Sequence, residues 1–117
     1  MTKVMLVEDD PTMISLLGTL LEMEGYQVIK LTRFGSVLDD IKAAMPDVVL
    51  MDVHLNDADG LAFCAGIRGD SQISDMKVIM SSGMDMRHES IQAGADDFLL
   101  KPYMPDELIS KIKMILG

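Results

Sequence analysis

Short apolar runs alternate along this chain with longer segments in which apolar residues recur every three or four positions. The first run, residues 4–7, is uninterrupted, which is typical of a strand buried on both faces of a sheet. Similar runs at 48–51, 78–80 and 98–100, and the segment 26–31, predict four more strands. The segment after each run has the apolar spacing of a helix.

Several residues mark where the predicted helices begin and end. Asp10 followed by Pro11 predicts the start of the first helix, because an acidic side chain can cap free N–H groups and Pro suits the first helical position. Gly25 predicts its end, and Asp59 is expected to cap the third helix. The fourth helix, roughly 85–93, is weakly amphipathic, whereas the fifth is strongly so.

Five rounds of strand and helix predict an α/β fold. We expect a doubly wound, five-stranded parallel sheet with five helices and the flavodoxin-like strand order 2-1-3-4-5. The polar segment 56–60 is predicted to be a loop. The whole chain, residues 1–117, is expected to form one domain, since this length suffices for a single core.

Composition and charge narrow the function. The chain is 49% hydrophobic and 25% charged, which is typical of a globular protein rather than a disordered one. A net charge of −9 would repel phosphate backbones, so no direct nucleic-acid binding is expected. No apolar run approaches the ~20 residues of a membrane span, and no signal peptide is recognised. We therefore expect no membrane association.

The sulfur-containing residues add two expectations. Cys64 is the one cysteine, so it cannot form an internal disulfide, and this fits a cytoplasmic protein. Most of the 12 methionines lie in apolar runs and are expected in the core. Met84, Met86 and Met104 lie near predicted loops and are expected to be surface contacts.

Functional groups follow four of the predicted strands directly. Glu8 and Asp9 follow the first strand, Asp52 the third, Ser82 the fourth and Lys101 the fifth. In open α/β sheets, sites form beyond the carboxyl ends of the strands, where the strand order reverses. We therefore expect three carboxylates, a hydroxyl and an ammonium group at one edge of the sheet.

This group of side chains predicts phosphoryl chemistry. Neighbouring carboxylates repel each other, and Mg²⁺ relieves that repulsion because it prefers carboxylate, water and phosphate oxygens. A carboxylate can act as a nucleophile and become an aspartyl phosphate. Phosphoryl transfer needs mainly positioning and charge neutralisation. Lys101 and Ser82 would each bind a phosphoryl oxygen.

These residues resemble the receiver domains of two-component response regulators, including the single-domain chemotaxis regulator. The resemblance covers essentially the whole chain. Each motif is weak alone, but four in the right order, each at its own strand end, are specific. The matching motifs are Leu6-Val7-Glu8-Asp9-Asp10, Asp52 with Gly60 eight residues later, Ser82-Gly83 and Lys101-Pro102.

The resemblance implies a metal site and a phosphoacceptor. Asp52 is expected to take the phosphoryl group. Glu8 and Asp9 are expected to hold Mg²⁺ together with Asp52, and Asp9 would be the more direct ligand of the pair. The backbone carbonyl of His54 would complete the metal shell, so its side chain need not bind the ion.

The resemblance also implies a switch. Ser82 matches the switch hydroxyl and Phe98 the aromatic switch position, although a Phe in a strand is also a usual core residue. Lys101 matches the phosphate-binding lysine, and its bond to Pro102 is expected to be cis. Phosphorylation would then change the surface formed by the fourth helix, the fifth strand and the fifth helix.

Three positions depart from, or vary within, the family pattern. The loop after the phosphoacceptor usually carries Pro four residues on, whereas this chain has Asn56, which we expect to loosen the loop. His54 and Met84 occupy positions that tune the lifetime of the phosphoryl group in the family.

The function implied is a phosphorylation-dependent signalling switch rather than an enzyme, since it would promote only its own aspartyl phosphorylation and dephosphorylation. The expected donor is a sensor histidine kinase or a phosphotransfer protein. The expected target is a downstream protein or an output domain, and a dimer is expected on activation.

Two alternatives stay open at this point. A phosphate-independent interaction module on the same fold would typically have lost the acids, the acceptor or the lysine. A Mg²⁺-dependent phosphatase of the haloacid dehalogenase type would need Asp-x-Asp after the first strand, where this chain has Glu8-Asp9-Asp10. A nucleotide-binding fold is excluded, because no glycine-rich phosphate loop follows the first strand.

Overall fold

The computed structural model describes all residues, 1–117, and contains seven strands and five helices. The strands are β1 (Lys3–Val7), β2 (Gln27–Leu31), β3 (Val48–Asp52), β4 (His54–Leu55), β5 (Ala58–Asp59), β6 (Lys77–Ser82) and β7 (Asp97–Leu100). The helices are α1 (Pro11–Met23), α2 (Val37–Ala44), α3 (Gly60–Arg68), α4 (Arg87–Gln92) and α5 (Pro105–Leu116). None of these helices is both long and apolar enough to cross a membrane.

Five strands form the main sheet in the order β2-β1-β3-β6-β7, and all of their pairings are parallel. Because β6 and β7 are the fourth and fifth strands predicted from the sequence, the expected order 2-1-3-4-5 is confirmed. The prediction of a plain loop at 56–60 is right for residues 56 and 57 and wrong for 58–60, which belong to β5 and to the start of α3. Strands β4 and β5 form a separate antiparallel hairpin in which Leu55 pairs with Ala58.

The core lies on both faces of the sheet, because successive side chains of a strand point to opposite faces. On one face, Met5, Val49 and Met80 belong to the cluster that includes residues of α2 and α3. On the other face, Leu6 and Leu50 belong to the cluster that includes residues of α1 and α5. All five residues of β3 are buried, as expected for a central strand covered by helices on both sides.

Two predicted helix caps are confirmed. Asp10 Oδ1 accepts hydrogen bonds from the backbone N–H groups of Thr12, at 2.9 Å, and Met13, at 3.3 Å. Asp59 Oδ1 accepts one from the N–H of Leu61 at 2.9 Å. Each capping acid directly precedes the first residue of its helix, Asp10 after the short loop that follows β1 and Asp59 as the last residue of β5.

The fourth helix is shorter than the predicted span 85–93 and covers Arg87–Gln92. Asp85 lies two residues before its start, and its carboxylate accepts a hydrogen bond from the N–H of Arg87 at 3.3 Å. Ser90, on the inner side of this helix, is fully buried, yet its hydroxyl has no hydrogen-bond partner.

The methionines are less buried than predicted. Four are buried, namely Met5, Met51, Met76 and Met80. Six are exposed, namely Met1, Met23, Met45, Met84, Met104 and Met114. The exposed positions of Met84 and Met104 agree with the sequence prediction, whereas Met86 packs half-buried against the core.

Candidate functional site

The three predicted carboxylates meet at the carboxyl edge of the sheet. Strands β1 and β3 are neighbours, with Val7 paired to Met51, so the residues that follow Val7 lie beside Asp52. One carboxylate oxygen each from Glu8, Asp9 and Asp52 can be chosen so that all lie within 4.8 Å of one another. Glu8 is only 5% exposed and Asp52 only 9%. The fold therefore concentrates negative charge where little water can solvate it.

Lys101 supplies a positive charge to this cluster. Its Nζ donates hydrogen bonds to Glu8 Oε1, at 2.7 Å, and to Asp52 Oδ2, at 3.0 Å. The residue is positioned at the end of β7 by its own N–H, which donates to the carbonyl of Ser82 at 2.8 Å. Its bond to Pro102 is cis, as predicted. The ammonium group thus joins the ends of β1 and β3.

The acidic groups of the site outnumber its basic groups. Burial raises the pKa of the Glu8 carboxyl, and the charge of Asp52 adds to this, while Lys101 only partly opposes the rise. Burial alone would lower the pKa of Lys101, but its hydrogen bonds to Glu8 and Asp52 outweigh burial and raise it. Three carboxylates facing one ammonium group form a set of oxygen ligands suited to a hard divalent cation.

Asn56 fixes the hairpin to this site instead of loosening it, which differs from the expectation. Its N–H donates a hydrogen bond to Asp9 Oδ2 at 2.8 Å. Its φ is 45°, in the left-handed region that Asn tolerates. Proline has no N–H and its φ is locked near −65°, so it could make neither this bond nor this turn.

Gly60 packs against the backbone of the predicted phosphoacceptor. Its N–H donates to the carbonyl of Val53 at 2.8 Å. A Cβ atom at this position would lie 2.0 Å from the carbonyl oxygen of Asp52, which is far inside a normal contact. Only glycine lets α3 start this close to the end of β3.

Ser82 lies on the same edge, one residue beyond the partner of Asp52. Asp52 pairs with Ser81 in the sheet, and β6 then continues to Ser82. The Ser82 hydroxyl is buried and accepts a hydrogen bond from the N–H of Met84 at 3.1 Å. No hydrogen bond joins it to Asp52 or to the ammonium group of Lys101 in this structure.

Phe98 is buried in the core, in the cluster that includes residues of α2 and α3. Arg87, at the start of α4, donates from Nη2 to the Phe98 carbonyl at 3.2 Å. Its guanidinium carbon lies 6.0 Å from the centre of the Phe98 ring, within the range of a cation–π contact. The aromatic residue predicted to switch is therefore bound to α4 through one side chain.

His54 lies in β4, two residues after Asp52, and its side chain is exposed. The imidazole does not belong to the cluster formed by the carboxylates of Glu8, Asp9 and Asp52.

Tyr103 is a residue of this site that sequence reasoning missed. Its hydroxyl is buried and has no hydrogen-bond partner. Burial raises the pKa of Tyr103, and the nearby charges of Glu8 and Asp52 raise it further. The sequence carries no signal for this, because the burial of the hydroxyl depends on how the ring packs beside Glu8 and Asp52.

Comparisons with known proteins agree with this arrangement. The family model described as "Response regulator receiver domain" matches residues 4–113. The sensory transduction protein BceR of Halalkalibacterium halodurans is 37% identical over 119 residues, which cover 99% of this chain and 50% of BceR. This chain therefore spans about half the length of that curated relative.

Two solved structures illustrate the likeness in three dimensions. The beryllofluoride-activated N-terminal receiver domain of Klebsiella pneumoniae RstA has a TM-score of 0.88 at 29% identity, covering 98% of both chains. The receiver domain of a sensor histidine kinase from Pseudomonas aeruginosa PAO1 has a TM-score of 0.89 at 25% identity, covering 99% of this chain and 98% of the other. That second structure has a magnesium ion coordinated in its active-site cleft.

Proposed function

Because this chain belongs to the family of response regulator receiver domains, which act in phosphorylation-dependent signalling, we propose that Asp52 is the residue that takes the phosphoryl group. The observation that carries this proposal is the pair of hydrogen bonds from Lys101 Nζ to Asp52 and Glu8. They hold an ammonium group beside a carboxylate that ends a fully buried strand.

Asp52 would act as the nucleophile. One of its carboxylate oxygens would form a bond to phosphorus, while the bond from phosphorus to the donor's nitrogen or oxygen breaks and its electron pair stays with the donor. Lys101 Nζ, already 3.0 Å from Asp52 Oδ2, would exchange that contact for a phosphoryl oxygen. The Ser82 hydroxyl, at the next strand end, would leave the Met84 N–H and bind a second phosphoryl oxygen.

The acids of the site fit a magnesium ion. Glu8, Asp9 and Asp52 would hold it with one oxygen each, and the His54 carbonyl is proposed as a further ligand. When bound, Mg²⁺ would neutralise the carboxylates and the incoming phosphoryl oxygens. Asp9 is oriented for this role by the Asn56 N–H, and Glu8 by the N–H of Asp9, which donates to its Oε2 at 2.9 Å.

We propose that the signal leaves through the surface formed by α4, β7 and α5. Asp97 of β7 joins the three elements, because it accepts from Arg87 of α4 at 3.3 Å and from Lys111 of α5 at 2.9 Å. Arg87 also contacts Phe98. A movement of Phe98 would therefore displace Arg87 and, through Asp97, alter the contacts among α4, β7 and α5. The resulting change would be a shift between two populations of conformations.

The proposed phosphoryl donor is a sensor histidine kinase or a phosphotransfer protein. The proposed receiver of the signal is a downstream protein or an output domain, with a dimer formed on activation. Exposed apolar side chains on the α4-β7-α5 surface, namely Ile91, Leu100 and Met104, support a protein partner there.

The protein is proposed to promote only its own phosphorylation and dephosphorylation, in the cytoplasm. The cytoplasmic proposal is supported by Cys64, which is buried and free. The acids and the lysine that a phosphate-independent module would have lost are all in place.

Labelling with acetyl phosphate tests the acceptor. Wild type with Mg²⁺ should gain one phosphoryl group by intact-mass analysis, and Asp52→Asn should gain none. Asp57→Asn is the matched control, since Asp57 is an exposed acid in the nearby hairpin turn. Equal labelling of Asp52→Asn and wild type would refute the assignment. No labelling of wild type, together with no binding of Mg²⁺, would instead favour the interaction module.

A further inference from the structure

The hydroxyl of Tyr103 is an unusual feature beside the acidic cluster. Its oxygen is shielded from solvent and makes no hydrogen bond within the protein. Buried hydroxyl groups are almost always paired, because leaving one without a partner is costly. A phenylalanine would fill the same space without that cost. The hydroxyl therefore indicates a partner that is not a protein atom.

A small cavity lies next to this residue. Tyr103, Glu8, Asp52 and Ser81 border it, and its other walls are apolar residues of β1, α1 and β3. Its volume is about 10 Å³. That is close to the smallest cavity that holds a single water.

The polar groups around the cavity match what one water needs. A buried water typically makes about three hydrogen bonds. The Tyr103 hydroxyl can donate one, and carboxylates of Glu8 and Asp52 can accept the other two. Only Oδ2 of Asp52 is used by Lys101, so Oδ1 accepts no hydrogen bond from the protein.

We propose that this cavity holds one water molecule, which accepts a hydrogen bond from Tyr103 and donates to the carboxylates of Glu8 and Asp52. Tyr103 is then a positioning residue that acts on both acids from beneath the site. This inference rests on the proposed function, because it matters only if these acids bind Mg²⁺. Partners that orient metal ligands typically contribute 10-fold to 100-fold to metal affinity. A contact made through a water should give less, about threefold to tenfold.

Crystallography tests the water directly. Structures of wild type and Tyr103→Phe at a resolution that shows ordered waters should differ by one water within hydrogen-bond distance of the Tyr103 oxygen. A cavity without density in wild type, or a Tyr103 hydroxyl bonded directly to a protein atom, would overturn the proposal. The water should be found whether or not Asp52 accepts a phosphoryl group.

Titration with Mg²⁺ alone, followed by NMR, tests the positioning role. Tyr103→Phe should bind Mg²⁺ about threefold to tenfold more weakly than wild type. Tyr26→Phe is the matched control, because Tyr26 is the other tyrosine, is also half-buried, and precedes β2 at the edge of the sheet opposite to the acids. Its Mg²⁺ affinity should equal that of wild type.

The two proposals fail in different ways. If wild type binds no Mg²⁺, the proposed function fails, whatever the crystal structures show. If wild type and Tyr26→Phe bind Mg²⁺ and Tyr103→Phe matches them within twofold, the metal site stands and the role of Tyr103 is refuted.

Discussion

Replacing Lys101 with methionine removes the one cation that contacts Glu8 and Asp52 and keeps an unbranched side chain of similar length. The carboxylates of Glu8 and Asp52 then stay buried with no opposite charge. Removing one partner from a buried ion pair costs about 3–5 kcal/mol. The side chain of Lys101 is 21% exposed, so some water can reach the gap. We therefore expect a loss of about 2–3 kcal/mol at pH 7.5 without divalent cations.

The loss should depend on pH. The folded-state pKa of Glu8 is raised above its ordinary value of 4.5, chiefly by burial, and losing Lys101 raises it further. A carboxyl group with a raised pKa contributes stability that is fully present below the unfolded-state pKa and is lost as pH rises through the folded-state pKa. Acidification from pH 7.5 to 5 should therefore recover more stability in Lys101→Met than in wild type.

Urea unfolding followed by far-UV circular dichroism measures this effect, with EDTA present at both pH values. Lys77→Met is the matched control, because Lys77 is exposed and forms no salt bridge. Its stability should stay within about 0.5 kcal/mol of wild type. A loss below about 0.5 kcal/mol for Lys101→Met at pH 7.5, or a loss equal at both pH values, would refute the reasoning.

Two further predictions concern stability. Gly60→Ala should lose about 2–3 kcal/mol in urea unfolding, because its Cβ would lie 2.0 Å from the Asp52 carbonyl oxygen, and stability equal to wild type would contradict the close packing. Gly35→Ala is its control, since a Cβ there meets no atom within 4 Å. Ser90→Ala should gain about 1 kcal/mol, because it removes a buried hydroxyl that has no partner, and a lower midpoint in thermal unfolding would contradict this.

The sheet could be predicted from the sequence because its strands are buried on both faces. An uninterrupted run such as 4–7 has few alternatives to a central parallel strand, and the positions of Glu8 and Asp52 then follow from topology. The helix starts at Asp10 and Asp59 were equally readable, since capping depends on residues adjacent in sequence. The helix caps depend on local sequence, and the positions of the strand ends follow from the topology of the sheet.

Features that depend on contacts between distant segments could not be predicted. The two-residue strands β4 and β5 have no hydrophobic pattern of their own, and their turn is fixed by a hydrogen bond from Asn56 to Asp9, 47 positions earlier. The buried state of the Tyr103 hydroxyl depends on how its ring packs beside Glu8 and Asp52. Spacing along the sequence carries no signal for either contact.

The exposure of the methionines shows a limit of pattern reading. Met23 and Met114 lie within amphipathic helices but on their outer sides, where a flexible apolar side chain is tolerated. An apolar residue is not necessarily a buried one, and only the packing of α1 and α5 on the sheet decides which side faces the core.

The most direct test of the central claim is a titration with beryllofluoride and Mg²⁺, followed by NMR on wild type and Asp52→Asn. Beryllofluoride mimics an aspartyl phosphate. We expect saturable, Mg²⁺-dependent shifts at Ser82, Phe98 and Lys101 in wild type, and none of these in the variant. Shifts of equal size in Asp52→Asn, or no response in wild type, would contradict the claim that Asp52 is the phosphoacceptor of this receiver domain.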